Sequence, residues 1–230
     1  MTETIAFVSG KGGVGKTSLA VNSAIKLAMT QGKVGVLDAD FGLSNANILM
    51  GVKAEKTISD FLSGKYPLNE IIKDTHAGVK LIPGGSGTMD TLNLDSKERW
   101  KFIRSLDPLE AELDYLIVDT PAGASDSSIE FAAAVDKVIV VLVGEPTSFM
   151  DAYAFIKALN LEKDITKFSV IVNMANSEEA AVKDFENFRK IVSKFLQVEM
   201  TLLGLSLIHI SEPTRQEAIS YGGICLEKKG

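Results

Sequence analysis

The densest run of residues able to do chemistry in this sequence is Gly10-Lys11-Gly12-Gly13-Val14-Gly15-Lys16-Thr17, with Ser18 behind it. A glycine-rich turn lets successive backbone N–H groups converge on anionic oxygens, because no Cβ blocks the approach and positive φ is cheap at glycine. The spacing G-x-x-x-x-G-K-[ST] is that of a phosphate-binding loop. Gly12, Gly13, Val14, Gly15, Lys16, Thr17 and Ser18 would cradle the phosphates, Lys16 would reach the β- and γ-phosphates, and the Thr17 hydroxyl would ligate Mg²⁺. Lys11 stands apart, since Lys16 already serves a nucleotide bound by its own chain; its plain reading is a solvated lysine on a charged loop.

Two further clusters offer carboxylates. In Asp38-Ala39-Asp40-Phe41-Gly42-Leu43-Ser44-Asn45 the acids lie two apart at the end of an apolar run, so both project to one side, toward bound phosphates and Mg²⁺. Asp38 is then a metal-side acid, and Asp40 a group that orients or deprotonates an attacking water. The alternative is that they cap the following helix or turn. Asp119-Thr120-Pro121-Ala122-Gly123 has the form of a second Mg²⁺-side acid followed by a glycine able to sense a γ-phosphate.

The elements that must position these clusters are legible as apolar runs over 5–8, 33–37, 79–82, 115–118, 137–143 and 168–172, with a weaker one at 201–205. They are nearly continuously hydrophobic, as strands buried on both faces are. Helix-length segments at 17–31, 94–105, 125–134, 148–159 and 177–195 alternate with them. This predicts an α/β fold with a doubly wound, mostly parallel sheet flanked by helices, whose ligands bind at the carboxyl ends of the strands. The clusters at 10–17, 38–45, 83–87, 119–123, 144–147 and Asn173 all follow strands directly. Trp100, Phe102, Phe131, Phe155, Phe185, Phe188 and Phe195 sit at helical spacings and are expected to be core or helix-packing residues, not a stacking platform.

With 230 residues, 46% of them hydrophobic, one domain of ordinary core is sufficient. A net charge of −6 argues against a generally basic nucleic-acid binder. The single Cys225 excludes an internal disulfide framework or a paired-cysteine metal site, which fits a reducing cytoplasm. No cleavable signal or membrane-spanning stretch is expected. His76, in a polar connection, is expected to be a surface residue.

Lys11-Gly12-Gly13-Val14-Gly15-Lys16-Thr17 resembles the deviant phosphate loop of the MinD/ParA (SIMIBI-class) ATPases, and 38–45 and 119–123 resemble that family's two switch segments. The resemblance implies an ATPase with ATP and Mg²⁺ as ligands, slow and stimulated by partners. It also implies an ATP-dependent homodimer in which Lys11 reaches the partner's phosphates, Asp40 in the catalytic position, and Asn173 reading the adenine edge. Stretches 79–87, 145–154 and 172–176 are most similar to the flagellar number and placement branch (FlhG/FleN-type), which implies partners in flagellar assembly or placement, or in related cell-pole organisation.

The first strand is expected to begin about four residues from Met1, where this branch often carries a segment that stimulates a GTPase partner; that stimulation is not expected here. Residues 1–205 are read as the ATPase domain and 206–230 as an atypical tail, because 206–215 resembles a translated sequencing adapter. The family's membrane-docking amphipathic helix is not found in that tail, so membrane binding is expected only of a native full-length form. The rival readings are a DNA-partition ATPase, an amidase or carboxylase on the same scaffold, an iron–sulfur reductase, for which one cysteine is too few, and a chimeric product without native function.

Overall fold

The structure is a computed structural model that describes residues 2–30, 32–41, 44–85 and 96–207. The strands are β1 (Glu3–Val8), β2 (Val34–Asp38), β3 (Lys73–Asp74), β4 (Val79–Ile82), β5 (Tyr115–Asp119), β6 (Lys137–Leu142), β7 (Lys167–Ala175) and β8 (Glu199–Leu207). They form one sheet in the order β3-β4-β2-β5-β1-β6-β7-β8, in which, among the described residues, only the β3–β4 pairing is antiparallel. The doubly wound parallel sheet expected from the apolar runs is present. The two-residue edge strand β3 is an addition that no periodicity announces.

The long helices are α1 (Lys16–Thr30), α5 (Ser96–Ser105), α7 (Asp126–Ala133), α8 (Pro146–Lys163) and α9 (Glu178–Ser193); short helical turns α2 (Ala46–Leu49), α3 (Ile58–Leu62), α4 (Leu68–Ile71) and α6 (Asp107–Glu110) lie between them. Serines expected inside helices instead cap them: Ser125 Oγ accepts the Ser128 N–H and Ser177 Oγ accepts the Ala180 N–H, satisfying donors that helix starts leave open.

Continuous hydrophobicity in the strands is explained by helices on both faces. Val138, Val140 and Leu142 of β6 belong to one apolar core with Phe102, Phe131, Phe155 and Phe188, whereas Ile139 and Val141 belong to a second with Leu19, Ala20, Ala24 and Leu27 of α1. One of the expected core or helix-packing aromatics is corrected. Trp100 is 46% exposed, because Phe102 takes the inward side of α5 and a residue two positions earlier lies about 200° around the helix. Phe195, 71% exposed and past the end of α9, takes the helix-packing alternative, with one edge against Tyr153 of α8. His76 is exposed as expected. No helix among the described residues is long and apolar enough to cross a membrane. His209, Cys225 and the remainder of 208–230, together with Gly42, Leu43, Ser86 and Gly87, lie outside the described residues.

Candidate phosphate-binding site

β1 runs between β5 and β6, so the loop at its carboxyl end emerges in the middle of the sheet. Gly13 and Gly15 have φ of +80° and +83°, the left-handed region that glycine enters without penalty, and these reversals fold the loop onto α1. A Cβ at Gly12 or Gly13 would meet nothing within 4 Å, which leaves the mouth of the cradle open. Its flanks are pinned. A Cβ on Gly10 would stand 2.1 Å from the Asp151 carbonyl carbon, so the loop's first turn lies directly on the backbone of α8. At the other flank the buried Asn173 donates from Nδ2 to the Val14 carbonyl at 2.8 Å. Thr17 is half-buried in the first turn of α1, and Ser18 beside it is exposed.

Asp38 and Asp119 are register neighbours at the ends of β2 and β5, and both are buried. Asp119 Oδ1 accepts from Lys16 Nζ at 2.5 Å, so the buried ammonium is paired within the cleft. Asp38 is the hub of the loop that follows it. Oδ1 accepts the Asp40 N–H at 3.1 Å, and Oδ2 accepts the Ser44 hydroxyl at 2.7 Å and the Asn45 and Ala46 N–H groups at 3.1 Å each. Burial pushes the Asp38 carboxyl up to about 6; the Ser44 hydrogen bond opposes this and the neighbouring Asp119 charge adds to it. Capping of the following turn, one of the two roles open for Asp38, is therefore realised in its contacts.

Asp40 is half-buried and is positioned by what lies on either side of it. Phe41 packs edge-on against both Phe102 and Phe131, at centroid distances of 6.0 and 5.8 Å, and those two rings meet each other at 6.2 Å. Gly84, after β4, lets the chain pass: a Cβ there would be 2.6 Å from the Asp38 carbonyl and 3.1 Å from that of Asp40. The three loops are also tied by backbone bonds, Ala39 N–H to the Asp119 carbonyl and Gly123 N–H to the Ser9 carbonyl, both 2.9 Å. Lys11 lies on the outer rim. Its Nζ is 2.7 Å from Glu145 Oε2 and 3.5 Å from Thr147 Oγ1, both at the start of α8.

The structure thus brings together the cradle residues, Lys16, Thr17, Asp38, Asp119 and Asn173, sets Asp40 at their edge and leaves Lys11 facing outward. Sequence reasoning missed Phe41 as an anchor, Ser44 as an Asp38 partner and Glu145 as the Lys11 partner. An aromatic directly after Asp-x-Asp is a usable signal for the first; nothing local flags the third.

A phosphate loop after a central parallel strand, with a buried lysine and strand-end aspartates, defines a P-loop nucleotide-binding protein of the α/β class. The AAA domain family matches residues 2–172. The antiactivator FleN of Pseudomonas aeruginosa is 37% identical over 203 residues, covering 88% of this chain and 72% of the relative. The flagellum site-determining protein YlxH of Helicobacter pylori is 36% identical over 204 residues, covering 88% and 69%. Among solved structures, the septum site-determining protein MinD of Pyrococcus horikoshii, complexed with Mg-ADP, superposes with a TM-score of 0.72 over 89% of this chain and 81% of that one, at 24% identity. The chain belongs to the MinD/ParA family of ATPases, in the flagellar branch that includes FleN.

Proposed function

We propose that this chain is an ATP-driven dimerisation switch that controls flagellar number or placement, with residues 1–205 as its ATPase domain. The observation that carries this reading is the division of labour between two lysines of one loop: Lys16 is buried against Asp119 inside the cradle, whereas Lys11 stands on its outer rim. Names of the relatives, an antiactivator and a flagellum site-determining protein, support the biological role, and the Mg-ADP bound to the MinD neighbour supports the ligand.

The residues fit a magnesium nucleotide. The open space at Gly12 and Gly13 admits phosphates to the backbone N–H groups of 12–18, and the Lys16 ammonium supplies a desolvated positive charge. Thr17 would hold Mg²⁺ directly, with Asp119 and Asp38 on its outer side through water. When bound, the ion neutralises charge on the β- and γ-oxygens. Asp40 orients the attacking water and takes its proton as the bond between the γ-phosphorus and the β–γ bridging oxygen breaks, giving ADP and phosphate. One Nδ2 hydrogen of Asn173 goes to Val14, which leaves the Oδ1 acceptor and the second Nδ2 hydrogen for a base, a pair that suits the amino group and ring nitrogen of adenine. Lys11 reaches the partner protomer's phosphates. The switch works in the cytoplasm, with protein partners in flagellar assembly or placement.

Sedimentation velocity with Mg-ATP, alongside phosphate release, tests the assignment. The wild type is expected to dimerise reversibly. Asp40→Ala is expected to accumulate as dimer while hydrolysis falls about 10²- to 10⁴-fold. Lys11→Ala is expected to retain nucleotide and remain monomeric. Loss of nucleotide binding in Lys11→Ala would place that lysine in cis, and wild-type turnover in Asp40→Ala would remove Asp40 from the chemistry.

A further inference from the structure

The outward lysine is not loose. Glu145 precedes Pro146, the first residue of α8, and its own N–H is held by the Val143 carbonyl at 2.7 Å, so its carboxylate leaves a fixed point of the fold. The Lys11 end is equally fixed, because the adjacent Gly10 lies against the backbone of Asp151 and Ala152 one to two turns further along the same helix. Loop and helix therefore approach as one rigid pair, and the 2.7 Å contact between Lys11 Nζ and Glu145 Oε2 spans two preset positions. Thr147 Oγ1, at 3.5 Å, is a second acceptor for the ammonium from the same helix start.

We propose that Glu145 is a positioning residue that holds Lys11 in cis and so sets the nucleotide concentration and protein concentration at which two protomers close. The proposal rests on the reading that Lys11 acts across a dimer. In that reading Lys11 has two competing anions, the Glu145 carboxylate of its own chain and the triphosphate of the partner. Each dimer breaks two of the cis pairs and leaves two uncompensated carboxylates near the rim of the phosphate sites. Both effects oppose closure. The side chains are 40% and 58% exposed, so each pair belongs to the weak, solvent-screened class and acts as a threshold and not as a lock.

Glu145→Gln keeps the size and hydrogen-bonding reach of the side chain while removing its charge. It is expected to tighten the Mg-ATP-dependent dimer roughly 2- to 30-fold, the range given by two exposed ion pairs per dimer. That gain should shrink as added salt screens the Lys11–Glu145 pair, which a merely structural effect of Glu145 would not reproduce, and the double variant Glu145→Gln/Lys11→Ala should stay as monomeric as Lys11→Ala. The measurement is the dimer dissociation constant by sedimentation velocity in Mg-ATP, at low and raised salt, for wild type, the single variant and the double variant. Thermal unfolding of each is followed by circular dichroism, so that a change in folding is seen separately. An unchanged or weaker dimer in Glu145→Gln, with the wild type dimerising normally, overturns the proposal and leaves the dimer reading standing. A gain that salt does not diminish, or a dimer in the double variant, also overturns it. If neither the wild type nor Glu145→Gln dimerises at any nucleotide concentration, the dimer reading itself falls, and the role of Glu145 with it.

Discussion

Asp38→Asn separates the electrostatic cost of the strand-end aspartate from its role as the hub of its loop. Asp38 has an ordinary value of 3.8 and is pushed up to about 6 in the fold, mainly by burial. A raised carboxyl means that the folded chain holds a proton which the unfolded chain has released, between roughly pH 4 and 6. Stability therefore falls as pH rises through 6, and above that value the buried charge costs about 3 kcal/mol relative to an unperturbed carboxylate. Asparagine removes that charge but has one acceptor oxygen where Asp38 has two. If it keeps the three bonds now made to Oδ2, its NH₂ group faces the Asp40 N–H in place of Oδ1, at a cost of about 1–3 kcal/mol. At pH 8 the two effects offset, and the variant is expected to match or exceed wild-type stability. At pH 5 the folded wild type is mostly protonated, which relieves about half of that cost because the unfolded chain is still ionised there, so the lost hydrogen bond weighs correspondingly more. The difference between the proteins should thus shift by roughly 1–2 kcal/mol in favour of the wild type on going from pH 8 to pH 5. Urea unfolding at both pH values, without added nucleotide or Mg²⁺, measures it, with far-ultraviolet circular dichroism and the single Trp100 as independent probes. Carboxylates whose values are lowered in the fold, such as Asp136, cancel in the difference. A difference that does not change with pH would refute the reasoning.

Two further substitutions test the flanks of the loop. Gly10→Ala places a methyl group 2.1 Å from the Asp151 carbonyl carbon and 2.4 Å from the Ala152 nitrogen, both backbone atoms that cannot rotate away. A stability loss of about 1–3 kcal/mol is expected, with weakened ADP binding; wild-type stability would mean that the loop does not rest on α8 as described. Asn173→Ala strips the Val14 carbonyl of its 2.8 Å donor and should destabilise the chain by about 1–3 kcal/mol in urea unfolding. Calorimetric titration should show both ATP and GTP affinities falling, ATP by more, so that the preference for ATP shrinks; an intact preference would show that Asn173 holds the loop without reading the base.

What the sequence discloses and what it withholds divides by the range of the interaction. The phosphate loop and seven of the strands are legible because glycine spacing and continuous apolar runs are local signals. β3 escapes because two residues carry no period, and α2, α3, α4 and α6 are single turns. Trp100 was misjudged because helical spacing identifies a stripe without saying which of two aromatics, 200° apart, faces the sheet. The partners in the site are separated most of all: Lys16 meets Asp119 across 103 positions, Lys11 meets Glu145 across 134 and Asn173 meets Val14 across 159. Residue types at those positions announce polarity, but only the sheet order decides which polar groups become neighbours.

That order gives two lysines five residues apart very different freedom. Lys16 and Asp119 have side chains 8% and 1% exposed, and removing either partner from so buried a pair leaves a stranded charge at a cost of about 3–5 kcal/mol. Lys16 can therefore leave Asp119 only when another anion takes its place inside the cradle, so its position is fixed by whatever fills the cleft. Lys11 and Glu145 are screened by water, and their separation costs a few tenths to about 1 kcal/mol. The same loop thus carries one cation bound to the interior and one that can change partners at little cost. In the proposed dimer switch that asymmetry has a use: a buried Lys11 pair would oppose closure strongly, whereas the exposed pair opposes it by about 1 kcal/mol or less.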